Sequence, residues 1–338
     1  MTNPMSIILQ FSDEQARAAI NLEQHYDTWV KAERDRRKLP YGMRWAERSG
    51  RKYLYEALDR NGNAKSLGVR SPETEKIFND YHMQKKILDH RIEQSKEKLN
   101  DTARIYRALR LPMLSPEAAK ILREADIREM LGTMLLVVGT NAMPAYSLEA
   151  GGRIQTPDET DDFDMTWSSK LPKANEPMVI PMLKAVDSTY TTNTERTFQA
   201  RNAKAHEFEL LAAPSTVQSL NPKDNPRPIP LPEQEWLLLG ETVSQVVTAR
   251  DGSPARIIAP DPRYFALQKL WLSEKPERNA LKKPKDALQG TALLNAVANH
   301  MPRFALDDEF QRSLPEELAP HFAKWLETHP SKRPSIVW

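Results

Sequence analysis

Two aspartates one residue apart, Asp162 and Asp164 in the stretch TDDFDMTW at residues 160–167, carry the most interpretable chemistry in this chain. In an extended strand successive side chains alternate faces, so both carboxylates point one way while Phe163 and Met165 point the other. Left alone, such a pair repels and the pKa of one member rises; a divalent cation between them removes that penalty and keeps both ionised. Magnesium suits the pattern, because it takes one or two protein carboxylates and leaves its other octahedral positions to water and phosphate oxygens. Manganese is the alternative ion.

Elements upstream must hold the rest of a phosphate. Residues 134–138 (MLLVV) form an apolar, partly β-branched run too short for a helix, and Gly139 ends it, which predicts a buried strand meeting a turn. A helix is expected from near Asn141 through Ala145, Tyr146 and Leu148, stopping at Gly151-Gly152 where left-handed backbone is tolerated. Backbone N–H groups at such a helix start face an anion, so Gly139, Thr140 and Asn141 become candidates for binding a phosphate.

A strand closed by Gly139-Thr140, a helix, and then Asp162-Phe163-Asp164 on a second strand together resemble the signature of the DNA polymerase beta-like nucleotidyltransferase superfamily. Within it the chain is similar to bacterial nucleotidyltransferase-fold proteins of unassigned substrate. Their upstream segment is matched by Trp45, by Tyr53-Leu54-Tyr55 and by Leu67-Gly68-Val69-Arg70-Ser71-Pro72-Glu73-Thr74-Glu75. The resemblance implies a third carboxylate from a later strand, for which Glu209 matches better than Glu207 on the same face. It also implies that Lys269 on one helix, and Lys285 with Asp286 on the next, face the nucleotide.

The activity implied is transfer of a nucleoside monophosphate from an NTP to a hydroxyl, with two ions held by Asp162, Asp164 and Glu209. The acceptor is a macromolecule, either an RNA such as tRNA or a protein, or else a small molecule, and a toxin-type enzyme is one form of this reading. The competing reading is a catalytically silent nucleotidyltransferase fold that binds nucleic acid or a protein partner.

Composition sets the wider frame. The 338 residues are 40% hydrophobic and 28% charged, as in a soluble globular protein with room for more than one core. A net charge of +2 argues against a bulk nucleic-acid binder but allows a local basic patch. With no cysteine, disulfides, zinc–thiolate sites and thiol catalysis are excluded. No run approaches the ~20 apolar residues of a membrane span, and the first ten residues lack a signal-peptide pattern. No membrane partner and a cytoplasmic location are therefore expected.

The expected fold is α+β: an N-terminal helical and β-hairpin arm over residues 1–114, a small mixed-sheet nucleotidyltransferase core over 115–220, and a mainly helical C-terminal lobe with a few strands over 221–338. Ser12 or Asp13 caps a first helix, and Ser71-Pro72-Glu73 and Ser115-Pro116-Glu117 open two more. Residues 43–69 read as strands with a hairpin turn at Asn61-Gly62. There Tyr53 and Tyr55 share a face among basic residues. Packing on the next helix is the expected role of that face, and nucleic-acid contact through residues 43–65 is the other. Residues 178–182 suggest a strand or a strand-to-helix connection. Residues 197–199 and 205–212 suggest two antiparallel strands, and the proline-rich residues 221–232 an extended linker. Strands are expected at 236–239, 243–249 and 255–258, with helices from Asp261-Pro262 and Lys285-Asp286.

Overall fold

The computed structural model describes residues 8–59, 62–156, 162–169 and 177–329. The fold is α+β. The chain separates into two compact units, Gln24–Thr102 and the remainder formed by Met1–Glu23 with Ala103–Trp338.

The chain opens with strand β1 (Ile8–Gln10) and helix α1 (Asp13–Lys38), whose first turn carries Asp13 and Glu14 and whose last turn carries Arg36, Arg37 and Lys38, each favourable against the helix dipole. Ser12 and Gln15 exchange side-chain-to-backbone hydrogen bonds as a capping box. Strands β2 (Gly42–Arg48), β3 (Arg51–Ala57) and β4 (Ala64–Val69) then form an antiparallel sheet in the order β2-β3-β4. Ser49 and Gly50, both at positive φ (51° and 71°), make the tight β2–β3 turn. The predicted turn residue Asn61 lies outside the described residues. A single helix, α2 (Pro72–Ala108), follows, capped by Ser71, which accepts from the Thr74 N–H.

In this unit the tyrosine face departs from its expected role. The fully buried Leu54 and the half-buried Trp45, paired across β3 and β2, occupy the face turned to α2, with the Trp45 ring 5.7 Å from Phe78. Tyr53 and Tyr55 alternate with Leu54 and therefore lie on the opposite face. The apolar residue of greatest burial, not the aromatic pair, decides which way the strand turns.

The other unit contains β5 (Met113–Leu114), α3 (Pro116–Ile127), β6 (Leu135–Val137), α4 (Met143–Glu149), β7 (Gly152–Ile154), β8 (Asp162–Trp167), α5 (Val179–Val186), β9 (Thr191–Thr192), β10 (Gln199–Arg201), β11 (Glu207–Ala212) and β12 (Ile229–Pro230). It continues through β13 (Val243–Ala249), β14 (Pro254–Ala259), α6 (Pro262–Glu274), α7 (Lys283–His300), α8 (Asp308–Ser313) and α9 (Ala319–Thr328). Its main sheet runs β6-β8-β11-β10-β9, with β12 added parallel to β11. β8 is antiparallel to β6 and parallel to β11. Phe163, Met165, Phe208 and Leu210 are buried on one face of that central pair, with the Phe163 and Phe208 rings 6.2 Å apart. Burying these four residues fixes which face is left to the carboxylates.

Several segments differ from expectation. Residues 221–232 are not a linker: β12 pairs with β11, and Asp224, fully buried, accepts from the N–H groups of Met178 (2.6 Å), Val179 (2.7 Å) and Ile180 (3.1 Å). One carboxylate thus caps α5 from a distance of more than forty residues along the chain, which composition alone does not reveal. Residues 232–238 form a 3-10 turn in place of a strand, and the third strand beside β13 and β14 is β5, reached only through tertiary contact. Gly152 is part of β7, where an added Cβ would lie 2.6 Å from Ile8 Cγ2; Gly151, at φ 62°, makes the left-handed stop. The early strand of the predicted pair begins at Gln199, two residues later than expected, and α7 begins at Lys283, two residues before Lys285.

Candidate active site

The site is assembled at the ends of β6 and β8 and on the adjoining strand β11. β6 carries the chain into Val138, whose N–H donates to the Asp164 carbonyl (3.1 Å), and Gly139 then turns at φ 66° into a 3-10 turn over Gly139–Ala142 before α4 starts. The predicted helix is present in two pieces, because the first residues wind as a 3-10 turn. Gly139 is required for space as well as φ: a Cβ there would sit 2.5 Å from Asp164 Oδ2. The Asn141 side-chain amide donates to the Asp162 carbonyl (3.1 Å), so Asn141 braces the start of β8.

Parallel pairing of β8 with β11 places Glu207 opposite Asp162 and Glu209 opposite Asp164. Four carboxylates thereby share one face of two neighbouring strands, about 4.8 Å apart across the ladder. Their partners distinguish them. Glu207 is ion-paired to Arg201, whereas Glu209 accepts from the Gln199 amide and stands beside Asp164, whose ionisation its charge opposes. Asp162 is partly exposed and stands 3.7 Å from the Lys282 ammonium.

Asp164 is the buried member, and one of its oxygens, Oδ1, has no hydrogen-bond partner. Burial first, and then the charges of Glu209 and Asp162, push its carboxyl up to about 7, with Lys269 acting in the opposite direction. Lys269, 5% exposed, donates to Asp286 (2.8 Å), whose other oxygen is held by Arg278 (2.7 Å). Burial holds the Lys269 pKa below its ordinary value, and the Asp286 charge opposes that shift.

A cleft of about 110 Å³ opens between Asp164 and Lys269, lined among others by Val138, Gly139, Gln268 and Arg278. Of the predicted residues, Gly139, Asp164 and Lys269 line it directly; Asp286 reaches it through Lys269 and Arg278, and Thr140, Asn141, Asp162, Glu209 and Lys285 are not among its lining residues. Arg278 was not legible beforehand, because it lies between α6 and α7 in a stretch rich in basic residues, with no spacing to mark it. Glu233 and Gln234, between the expected linker at 221–232 and the strand expected at 236–239, also line it. A larger groove of about 470 Å³ lined by His25, His90, Arg91 and Lys98 contains none of the carboxylates.

The carboxylate set is a fit for a divalent cation on the chemistry of its donors: hard oxygens, one of them orphaned and buried, on a pair that repels in the absence of positive charge. Among the described residues, no three such side chains already stand in metal-coordinating arrangement. Asp162 is the one turned outward, toward Lys282.

The arrangement is a small mixed sheet with paired acidic strands beside a glycine turn and a buried lysine nearby. A family model described as nucleotidyltransferase matches residues 117–315, more than half of the chain and every site residue named above, and the chain belongs to that family. Comparison with curated proteins and with solved structures gave no match. No helix among the described residues is long and apolar enough to cross a membrane.

Proposed function

We propose that the protein is a metal-dependent enzyme that transfers a nucleoside monophosphate from an NTP to a hydroxyl of an acceptor, releasing pyrophosphate, by the chemistry of the DNA polymerase beta-like superfamily. The observation that carries this reading is Asp164: buried, opposite Glu209 across the ladder, against Gly139, with an unsatisfied oxygen and a carboxyl raised to about 7. A site so costly to ionise is a stability liability unless a cation occupies it in use.

In this proposal Asp162, Asp164 and Glu209 hold magnesium. When bound, the ions neutralise phosphate charge and lower the pKa of the attacking hydroxyl. The cross-strand pairing of Glu209 with Asp164 favours Glu209 over Glu207, which Arg201 already neutralises. Gly139 and Thr140 turn backbone toward the phosphates. Lys269 offsets charge on the departing pyrophosphate while Asp286 fixes its ammonium, and Arg278 supplies a second cation at the cleft wall. Transfer of this kind depends on positioning and charge neutralisation more than on covalent chemistry.

Calorimetric titration of each NTP into the wild type and into an Asp162→Ala, Asp164→Ala double variant, with and without magnesium, tests this. Magnesium-dependent binding lost in the variant is the expected result. Binding that is indifferent to both the metal and the variant would sink the metal-dependent mechanism. A toxin-type role would further require that induced expression of the wild type, but not of the double variant, arrests growth.

A further inference from the structure

We propose that the outer face of the β2-β3-β4 sheet is a binding platform for single-stranded RNA. Alternation and register sort the sheet's side chains by face. Arg44 and Tyr55 pair across β2 and β3, as do Arg48 and Arg51, and Tyr53 lies between them opposite Ala46. All of these fall on the face away from Leu54 and Trp45, the side that packs on α2. The charge is sorted too. The two acids of these strands, Glu47 and Glu56, are on the other face, directly opposite Lys52 and Lys65. The outer face therefore carries arginines and no acid.

Two features of that face are unfavourable for a sheet that binds nothing. Arg48 and Arg51 are like charges placed directly across a ladder, an arrangement that costs stability. Tyr53 and Tyr55 are only half-buried, and among the described residues neither they nor the three arginines have an ion-pair, hydrogen-bond or ring partner from a side chain. Two neighbouring rings on one strand, flanked by guanidinium groups, are complementary to a polymer that alternates flat bases with phosphates. Rings stack on bases of any sequence, and arginines neutralise the backbone. The rings select unpaired bases, which a duplex does not offer, and unpaired bases are the ordinary state of RNA loops and ends. As the site of acceptor binding this platform rests on the transfer reading given above. As a binding surface it does not.

Fluorescence anisotropy of a labelled mixed-sequence RNA of twelve nucleotides, with the full chain over a range of salt concentrations, tests the platform. A Tyr53→Ala, Tyr55→Ala variant should bind about tenfold or more weakly, and the corresponding double phenylalanine variant should keep most of the affinity, since stacking needs the ring and not the hydroxyl. Replacing Arg44, Arg48 and Arg51 by alanine should reduce the slope of log K against log salt by about 2, at ~0.7 per phosphate contact. A merely structural role for these residues would not move that slope. Unchanged affinity in both sets of variants would overturn the platform. Equal binding of DNA of the same sequence would overturn its assignment to RNA. NTP titration of the tyrosine variant separates the two proposals: it should remain as in the wild type. RNA binding by a wild type that binds no NTP would refute the transfer reading alone.

Discussion

Replacing Asp164 by asparagine removes one ionisable group from the most strained electrostatic position in the site. Its carboxyl is raised from 3.8 to about 7 by burial and by Glu209 and Asp162. A carboxyl whose pKa is higher in the folded state favours folding while protonated: its contribution is complete below about pH 4 and is lost as pH rises through about 7. At 1.36 kcal/mol per unit, the loss across that window is at most about 4 kcal/mol. Asparagine is nearly isosteric and neutral, and its amide can donate to Glu209 where the charged pair repels. Without metal, the variant should therefore become more stable than the wild type between pH 4 and 8, by an increment of up to about 4 kcal/mol. Urea unfolding in EDTA at several pH values, followed by the fluorescence of the tryptophans, of which Trp167 is in β8, measures the difference. Millimolar magnesium at pH 8 should then restore stability to the wild type and not to the variant, by about 2.7 kcal/mol at a hundredfold excess over Kd. Parallel pH curves for the two proteins in EDTA, within about 1 kcal/mol, would refute the account of Asp164.

Three further outcomes are expected. Gly139→Ala combines a positive φ with a Cβ 2.5 Å from Asp164 Oδ2, so thermal unfolding should show a loss of about 2 kcal/mol and calorimetry at least tenfold weaker NTP binding. Asp286→Asn leaves the buried Lys269 and the partly buried Arg278 without their shared counter-charge, and should cost about 3 kcal/mol in urea unfolding, whereas Lys282→Ala, on the exposed side of Asp162, should change stability by under 1 kcal/mol. Asp224→Ala deprives three consecutive backbone N–H groups of their acceptor, and hydrogen exchange should show the first turn of α5 opening more readily, with about 2 kcal/mol lost.

The sequence alone determined the parts of this protein that depend on neighbours along the chain. Apolar residues ending in glycine predicted β6 and its turn, alternation around Phe163 put Asp162 and Asp164 on one face, and serine or aspartate before proline located the starts of α2, α3 and α6. These rules act over two to four residues, the range in which backbone geometry is decided. What depended on distant partners needed the tertiary structure. The parallel register of β8 with β11 brings Glu209 against Asp164 and leaves Glu207 to Arg201, a choice the strand's own alternation could not make. The ion-pair chain from Lys269 through Asp286 to Arg278 spans two helices and their connection. The prolines of residues 221–232 gave the stretch the look of a linker, yet Asp224 and β12 fasten it to the core. Tyr53 and Tyr55 turned outward because Leu54 and Trp45 had the more apolar surface to bury against α2. Burial and pairing are properties of the packed chain, and they assign partners to groups whose spacing in sequence shows only that they could share a face.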